Sequence, residues 1–163
     1  MLEQSRISIT QIPADFGRWG DVLALIMRAF AFMDGIIDPP SSAHLLTVDA
    51  LRAKALRETG FLALDGNDRI MGCVFALERA DGFYVGKLAV APDRQGQGIG
   101  RRLMQAAEDL ARSRGKSAID LETRIELTAN HAAFARLGFR ETERTAHEGY
   151  DRPTSITMRK TIS

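Results

Sequence analysis

A glycine-rich turn between two apolar elements carries the clearest chemical signal in this 163-residue sequence. The turn reads Gln95-Gly96-Gln97-Gly98-Ile99-Gly100, and Arg101 and Arg102 follow it directly. Glycines let the backbone approach a ligand closely and turn several N–H groups toward one point. The start of a helix adds unpaired N–H groups and a partial positive charge, so two arginines there are explained by an anion bound among them. The sequence therefore predicts a pyrophosphate site.

Two common nucleotide-binding motifs fit this turn poorly. A P-loop ends in Gly-Lys followed by Ser or Thr, whereas Gly100 is followed by two arginines. The dinucleotide fingerprint G-x-G-x-x-G is matched at Gly96 and Gly98, but Arg101 occupies the position of its last glycine. Asp120 lies near the distance at which that fingerprint carries an acidic residue, so a nucleotide-dependent oxidoreductase stays open as an alternative.

The elements on either side of the turn are predicted to be a strand and a helix. The segment Phe83–Ala91 is rich in apolar residues and indicates a buried strand, and Pro92 ends its pairing because proline has no N–H to donate. The following helix stops at Gly115. Its apolar face is formed by Ile99, Leu103, Ala106, Ala107 and Leu110.

Upstream of this unit, the sequence predicts a first strand and two helices. The segment Arg6–Ile12 alternates in the manner of a strand. Asp15 is a good N-cap, and apolar residues recur at helical spacing over 16–33. Thr47 is predicted to cap a second helix that Gly60 ends. The inward positions of that helix are Val48, Leu51, Ala55 and Leu56.

Turn residues between apolar runs predict a three-stranded meander, Phe61–Asp65, Arg69–Glu78 and Phe83–Ala91. After the glycine-turn helix, a short strand at Ala118–Glu122 must run parallel to the strand before that helix. The sequence ends with a helix between Asn130 and Leu137 and an antiparallel pair, Arg140–Arg144 and Thr154–Arg159.

These elements predict an α/β (α+β) fold in a single domain over residues 1–163. We expect a mixed, mainly antiparallel sheet flanked by helices, with one parallel β-α-β step next to the glycine turn.

The motifs resemble those of the GNAT superfamily of N-acetyltransferases. That signature has an arginine or glutamine followed by x-x-G-x-G or x-x-G-x-A, entered from a strand that ends in V-x-P. The match here is Val90-Ala91-Pro92, then Gln95, Gly98 and Gly100, with Ile99 also typical. A second match begins at Asn130 and ends in Leu137-Gly138-Phe139. The resemblance implies an acyltransferase that moves the acetyl group of acetyl-CoA to a primary amine of a small molecule or peptide by direct attack.

The resemblance also implies which residues bind acetyl-CoA. The strand before the turn offers its backbone to the pantetheine arm and thioester, and the turn holds the pyrophosphate. Asn130 contacts the cofactor arm, and it also suits a helix N-cap. The implied cofactor-binding residues are Leu88, Ala89, Val90, Gln95, Gly96, Gln97, Gly98, Ile99, Gly100, Arg101, Asn130 and Phe134.

The sequence departs from the family at the proton donor. The family's usual tyrosine corresponds to Phe134, and Tyr150, in the loop before the last strand, is the predicted replacement. This departure motivates an alternative function, a catalytically impaired CoA-binding module that serves sensing or regulation. Glu122 is a candidate base because it ends the parallel strand, where ligand crevices open in α/β sheets. Other candidates for the base or the acceptor site are Tyr84, Asp34, Asp38, His44, His131 and His147.

Composition sets outer bounds on function. Net charge is +1, hydrophobic residues make up 45% and charged residues 26%, which is ordinary for a globular protein and disfavours nucleic acid or membrane as the main partner. The lone Cys73 lies in an apolar run and is predicted to be a buried, inert thiol. No His, Cys, Asp and Glu spacing indicates a metal site. We expect a cytoplasmic protein, and the resemblance implies a homodimer.

The segment 34–46 is predicted to be irregular because Gly35, Pro39 and Pro40 forbid a continuous helix. Loops of this length often carry binding residues. In the GNAT superfamily the corresponding connection walls the acceptor site, so the resemblance implies substrate contact here.

Overall fold

The computed structural model describes residues 6–163, which contain seven strands and four α-helices. The strands are β1 (Ser8–Gln11), β2 (Thr59–Leu64), β3 (Ile70–Glu78), β4 (Gly82–Val90), β5 (Ala118–Arg124), β6 (Arg140–Thr145) and β7 (Ser155–Thr161). The helices are α1 (Trp19–Phe30), α2 (Val48–Arg57), α3 (Ile99–Ser113) and α4 (Thr128–Arg136).

The strands form one sheet in the order β1-β2-β3-β4-β5-β7-β6. Within the described residues, β4 and β5 form its parallel pair, joined through α3, and the other neighbours are antiparallel. This confirms the predicted mixed sheet with one parallel step at the glycine turn. The step separates the β1–β4 meander from the last two strands.

The helices α1 and α3 pack on opposite faces of β3. The Trp19 ring of α1 stacks on Phe75, with ring centroids 6.5 Å apart. On the other face, a Cβ placed on Gly72 would lie 2.9 Å from Leu103 Cδ1 of α3. Residues 72 and 75 are an odd number of positions apart in one strand, so they point to opposite faces. The sheet is therefore buried on both faces at its centre, where Cys73, Val74 and Phe75 are fully buried.

The predicted start of α1 at Asp15 is wrong, because the helix begins at Trp19. Before it, the chain makes a turn in which the N–H of Phe16 donates to the Pro13 carbonyl over 3.1 Å. The Phe16 ring then packs edge-on against Trp19, with centroids 4.9 Å apart. Phe16 thus continues the apolar spacing of α1 although it lies before the helix. For this reason the spacing predicted a helix start that is too early.

Two predictions about α2 were right and two were wrong. Thr47 caps the helix, since its Oγ1 accepts the Ala50 N–H over 3.1 Å, and Leu51 is fully buried. Leu56, however, is 89% exposed. Gly60 does not stop the helix but lies in β2, where a Cβ would lie 2.6 Å from Ile12 Cδ1. The glycine serves close packing in the sheet, and α2 ends because the chain enters β2.

The helix after the parallel pair also begins earlier than predicted. It starts at Thr128, and the N–H of Asn130 already donates to the Leu127 carbonyl over 3.0 Å. Asn130 is therefore inside the first turn of α4 and is not its N-cap. At the end of α3, by contrast, Gly115 has φ +69° as expected for the predicted stop.

Candidate active site

The strands β4 and β5 separate halfway along their length and open a cleft. Their pairing runs from Gly82 opposite Ala118 to Val85 opposite Leu121, and β4 continues to Val90 beyond that point. Within residues 6–163, β4 has no strand partner on this side after Val85. The backbone of the second half of β4, which includes Leu88, Ala89 and Val90, therefore borders the cleft.

A bulge on the other edge of β4 lies at the same level. Ala89 pairs with Cys73 and Gly86 with Phe75, so two residues, Lys87 and Leu88, lie opposite Val74. Lys87 has a positive φ of 51°, and its carbonyl accepts the Cys73 thiol over 3.4 Å. Burial raises the pKa of that thiol to about 12, so Cys73 is the inert core residue that the sequence predicted.

The glycine turn and β4 enclose a cavity of about 680 Å³, which we call the phosphate cavity. It brings together eleven of the twelve predicted cofactor-binding residues, all except Gln97. These are Leu88, Ala89, Val90, Gln95, Gly96, Gly98, Ile99, Gly100, Arg101, Asn130 and Phe134. The turn, the strand before it and α4, which are separate in sequence, thus line one cavity.

The glycines of the turn are required by backbone conformation. Gly96 and Gly98 both have φ +79°, and Gly98 is the N-cap of α3. A Cβ at either position would meet nothing within 4 Å, so space does not exclude other residues there. Left-handed φ values are costly for residues with a Cβ. The first turn of α3 contains no acidic residue, which leaves its N–H groups and partial positive charge for an anion.

The two arginines after the turn have different positions. Arg101 lines the phosphate cavity. Arg102 donates from Nη1 to the Ile7 carbonyl over 2.8 Å and so ties α3 to the β1 segment. The sequence predicted that both arginines would lie beside an anion. Of the two, only Arg101 lines the cavity.

Two further cations line the phosphate cavity and were missed by the sequence analysis, Arg28 of α1 and Arg94. Arg94 lies 3.4 Å from the carboxylate of Asp65, a side chain with no exposed surface. Burial alone would raise the pKa of this carboxyl, but N–H donation from Arg69 and Asn67 and the cations Arg69 and Arg94 lower it. Because Arg94 directly precedes Gln95 of the glycine turn, its position in the cavity could have been predicted from the sequence. No sequence feature near Arg28 indicates that it reaches this cavity.

A second cavity of about 380 Å³, which we call the acceptor cavity, lies on the β5 side of the cleft. Glu122 and Tyr84 line it, together with Ser41 and Ser42 of the segment 34–46. It shares five lining residues with the phosphate cavity, namely Phe30, Met33, Leu88, Asn130 and Phe134. The two cavities therefore meet beside the bulge of β4.

Glu122 and Tyr84 interact across the parallel pair. Burial and the negative charge of the neighbouring Glu122 carboxylate raise the pKa of Tyr84 to about 12. The Arg79 guanidinium lies over the Tyr84 ring, 4.5 Å from its centroid. Tyr84 therefore stays protonated at neutral pH, and its ring lines the same cavity as Glu122.

The two residues considered for the acid step lie in different places. Phe134 lies between the cavities, and its ring centroid is 6.0 Å from that of Phe139. Tyr150 lines neither cavity, and its hydroxyl donates to Asp38 Oδ1 over 2.7 Å. The Asp38 carboxylate also pairs with Arg152 at 3.1 Å. The hydrogen bond to Asp38 raises the pKa of Tyr150.

The three histidines also differ in position. His147 lines the acceptor cavity, where its Nδ1 contacts Thr154 Oγ1 at 2.5 Å. His131 Nε2 lies 2.8 Å from the Arg124 carbonyl, and His44 Nε2 lies 2.7 Å from Asp34 Oδ1. Only His147 of the three borders the acceptor cavity.

Comparison of the sequence with known proteins identifies one family. The model of the acetyltransferase (GNAT) family matches residues 23–139. IAA acetyltransferase of Azospirillum brasilense is 32% identical over 130 residues, which cover 78% of this chain and 82% of that protein. N-alpha-acetyltransferase 30 of Schizosaccharomyces pombe is 38% identical over 87 residues, which cover 50% of this chain and 57% of that protein.

Solved structures confirm the fold. The PaiA N-acetyltransferase of Thermoplasma acidophilum, solved in complex with coenzyme A, superposes with a TM-score of 0.81 at 15% identity, covering 96% of this chain and 99% of that one. The ribosomal-protein-S18-alanine N-acetyltransferase of Escherichia coli gives a TM-score of 0.75 at 24% identity, covering 97% and 95%. At these identities the likeness concerns the fold alone.

The chain therefore belongs to the acetyltransferase (GNAT) family, and the predicted resemblance is confirmed. It is an acetyl-CoA-dependent N-acetyltransferase. Among residues 6–163, no group of three or more His, Cys, Asp and Glu side chains is arranged to hold a metal ion. In the same part of the chain, no helix has the length and apolar character needed to span a bilayer.

Proposed function

We propose that the protein transfers the acetyl group of acetyl-CoA to a primary amine of a small molecule or peptide by direct attack. The observation that carries this proposal is the meeting of the phosphate and acceptor cavities at Leu88, Asn130 and Phe134. A donor held by its pyrophosphate in one cavity and an amine held in the other would react at this junction without an acyl-enzyme stage. Holding both reactants in one geometry is itself a large part of such catalysis.

The residues of the phosphate cavity fit acetyl-CoA. Gly96 and Gly98 adopt the left-handed conformation that turns backbone N–H groups toward an anion, and Arg28, Arg94 and Arg101 supply positive charge. CoA carries a pyrophosphate and a further phosphate, so several cations are appropriate. The bound donor supplies an activated thioester, and the free edge of β4 at Leu88–Val90 offers backbone groups to it.

Glu122 is proposed to take the proton of the attacking amine. An alkyl amine has a pKa near 10.4 and is protonated at neutral pH, so it must lose a proton before it attacks. Glu122 lies on the acceptor-cavity wall beside Tyr84. Its carboxylate attracts the ammonium group and accepts a proton from it, directly or through one water molecule.

The leaving thiolate is proposed to depart without a protein acid. A thiol with a pKa near 8.5 is a tolerable leaving group at neutral pH. Phe134, which lies at the junction, has no proton to give. Tyr150 remains the predicted alternative donor, although its hydroxyl donates to Asp38 here.

The relatives support an amine as the acceptor and leave its identity open. They include an aminoglycoside N(6')-acetyltransferase, and the ribosomal-protein-S18-alanine N-acetyltransferase shares the fold, so the same scaffold accompanies both small-molecule and protein amines.

Incubation with acetyl-CoA, a panel of amines and a thiol reagent tests the proposal. We expect amine-dependent CoA release above hydrolysis, and we expect Glu122→Gln to lower kcat by about 100-fold or more with the Kd of acetyl-CoA unchanged. The matched control is Glu143→Gln, on the exposed strand β6, which should leave kcat unchanged. Acetyl-CoA binding without turnover on any amine would favour the CoA-binding sensing module, and full activity of Glu122→Gln would remove Glu122 as the base.

A further inference from the structure

The acceptor cavity has an excess of positive charge. Among the described residues that line it, Lys54, Lys87 and Arg124 are cationic, and Glu122 is the carboxylate. The three cations come from α2, from the bulge of β4 and from the end of β5. Their convergence is a property of the tertiary structure, because these elements are far apart in sequence.

The protein neutralises only one of these cations. Lys54 Nζ pairs with Glu58 Oε2 at 2.9 Å. Lys87 Nζ donates to the Ser42 hydroxyl over 3.2 Å, and Arg124 donates to the Pro39 and Pro40 carbonyls over 2.7 and 3.1 Å. Within residues 6–163, neither Lys87 nor Arg124 lies within 4.0 Å of a carboxylate. Hydrogen bonds to neutral oxygens use part of their donor capacity and supply no negative charge.

The charges act on one another. Burial lowers the pKa of Lys87, and the positive charges of Lys54 and Arg124 lower it further, an effect that Cys73 and the Glu58 carboxylate oppose only in part. Partly buried cations kept together in this way are unfavourable unless an anion joins them. A bound anion would raise the pKa of Lys87 again.

Among the described residues that line the cavity, the carboxylate of Glu122 lies on the same strand as one of the cations. Glu122 and Arg124 are two positions apart on β5, so they lie on the same side of that strand. Their Cα atoms are therefore separated by about 7 Å. Both side chains line the acceptor cavity, so a ligand that carries a positive and a negative group would find both charges matched, its amine at Glu122 and its anion at Arg124 and Lys87.

We propose that the acceptor is a primary amine that carries an anionic group close to the amine, as free amino acids and acidic peptide ends do. This inference rests on the proposed function and names the acceptor class for it. Glu122 attracts the ammonium group, and the cluster of Lys87 and Arg124 holds the anion. The amine is thereby oriented toward the junction with the phosphate cavity, and a neutral amine lacks this second contact.

Matched acceptor pairs test the inference. The first arm compares free amino acids with their amides, and the second compares short peptides with Asp or Asn as the second residue, which separates a main-chain carboxylate from a side-chain one. We expect kcat/KM about tenfold or more higher for the anionic member in at least one arm. The preference should shrink as salt rises, since the contact is electrostatic.

The variant Lys87→Met should lower kcat/KM for the anionic member of each pair more than for the neutral member, so that most of the preference is lost, and the Kd of acetyl-CoA reports whether the donor site is intact. Lys116→Met is the control, because Lys116 pairs with Glu78 outside both cavities. Equal use of both members of each pair, or a preference unaffected by Lys87→Met, overturns the inference and leaves the proposed function standing. If no amine turns over, thermal shifts of the CoA-saturated protein with each member of a pair test the inference without turnover. Equal shifts for the anionic and the neutral member overturn it.

Discussion

Phe134 occupies the junction of the two cavities, where the GNAT resemblance implies a tyrosine. Phe134→Tyr adds one hydroxyl and should be tolerated, with a change in kcat well below 100-fold, because the thiolate can leave unassisted. Steady-state kinetics with the best acceptor measure this. A gain of about 100-fold would instead mean that the native enzyme is impaired.

Tyr150→Phe is the companion variant to Phe134→Tyr. Since the Tyr150 hydroxyl donates to Asp38 and does not border either cavity, we expect kcat to change by less than about threefold. A loss of about 100-fold would identify Tyr150 as the substitute donor that the sequence analysis predicted.

Asp65 should make stability depend on acid pH. Its carboxyl accepts N–H groups from Asn67 and Arg69 over 2.8 and 3.0 Å, and its pKa is lowered in the folded protein. The ionised carboxyl therefore stabilises the fold above its ordinary pKa near 3.9, and this contribution is lost as pH falls through the lower folded value.

We expect Asp65→Asn to lower Tm by roughly 3 to 8 °C at pH 7, with the difference from wild type disappearing at strongly acidic pH. Thermal melts across pH measure both effects. Asp68→Asn, at an exposed position of the same hairpin, is the control. A constant difference at every pH would show that the charge of Asp65 is not the cause.

At the scale of elements, the glycine turn combines a conformational and a steric requirement. Gly98 has φ +79° at the N-cap of α3, whereas Gly100 lies inside the helix, where a Cβ would make an ordinary 3.7 Å contact with Val90 Cγ2. Both glycines line the phosphate cavity. Substitutions at the two positions therefore separate binding from folding.

We expect Gly98→Val to cost roughly 1 to 2 kcal/mol of stability and to weaken acetyl-CoA binding. Gly100→Val should weaken binding by about tenfold or more with apo stability within about 1 kcal/mol of wild type, because valine is a better helix former than glycine. Calorimetric Kd values and apo melts measure these changes. If Gly100→Val binds acetyl-CoA as tightly as wild type, the phosphate site is misplaced.

At the scale of the whole molecule, acetyl-CoA should bind the folded protein and not the unfolded chain, and so raise the free energy of unfolding. At about 100 times Kd the gain is about 2.7 kcal/mol, which corresponds to roughly 5 to 10 °C in Tm for a chain of this size. Arg101→Glu should reduce this shift and leave the apo protein equally or slightly more stable, since a cation in the first turn opposes the helix dipole. A shift that Arg101→Glu leaves unchanged would show that Arg101 does not contact the donor.

The sequence predicted the central unit well because its signals are local. The strand β4, the glycine turn and α3 are contiguous, and each is specified by neighbouring residues: apolar runs, glycines that permit positive φ, and a helical apolar face. The parallel pairing of β4 and β5 followed from the helix between them. Element starts were less well predicted, since Asp15 and Asn130 carry capping chemistry that the structure does not use.

What only the tertiary structure decided is which distant side chains share a cavity. Arg28 joins the phosphate cavity from α1, and Lys54, Lys87 and Arg124 meet in the acceptor cavity from three elements. No local pattern encodes these meetings, because they depend on the separation of β4 from β5 and on α1 and α2 covering the sheet beside that opening. The sequence by itself determined the family, through motifs that resemble those of the GNAT superfamily, and the glycine turn, through short-range backbone preferences. The charge of the acceptor cavity arises instead from long-range packing.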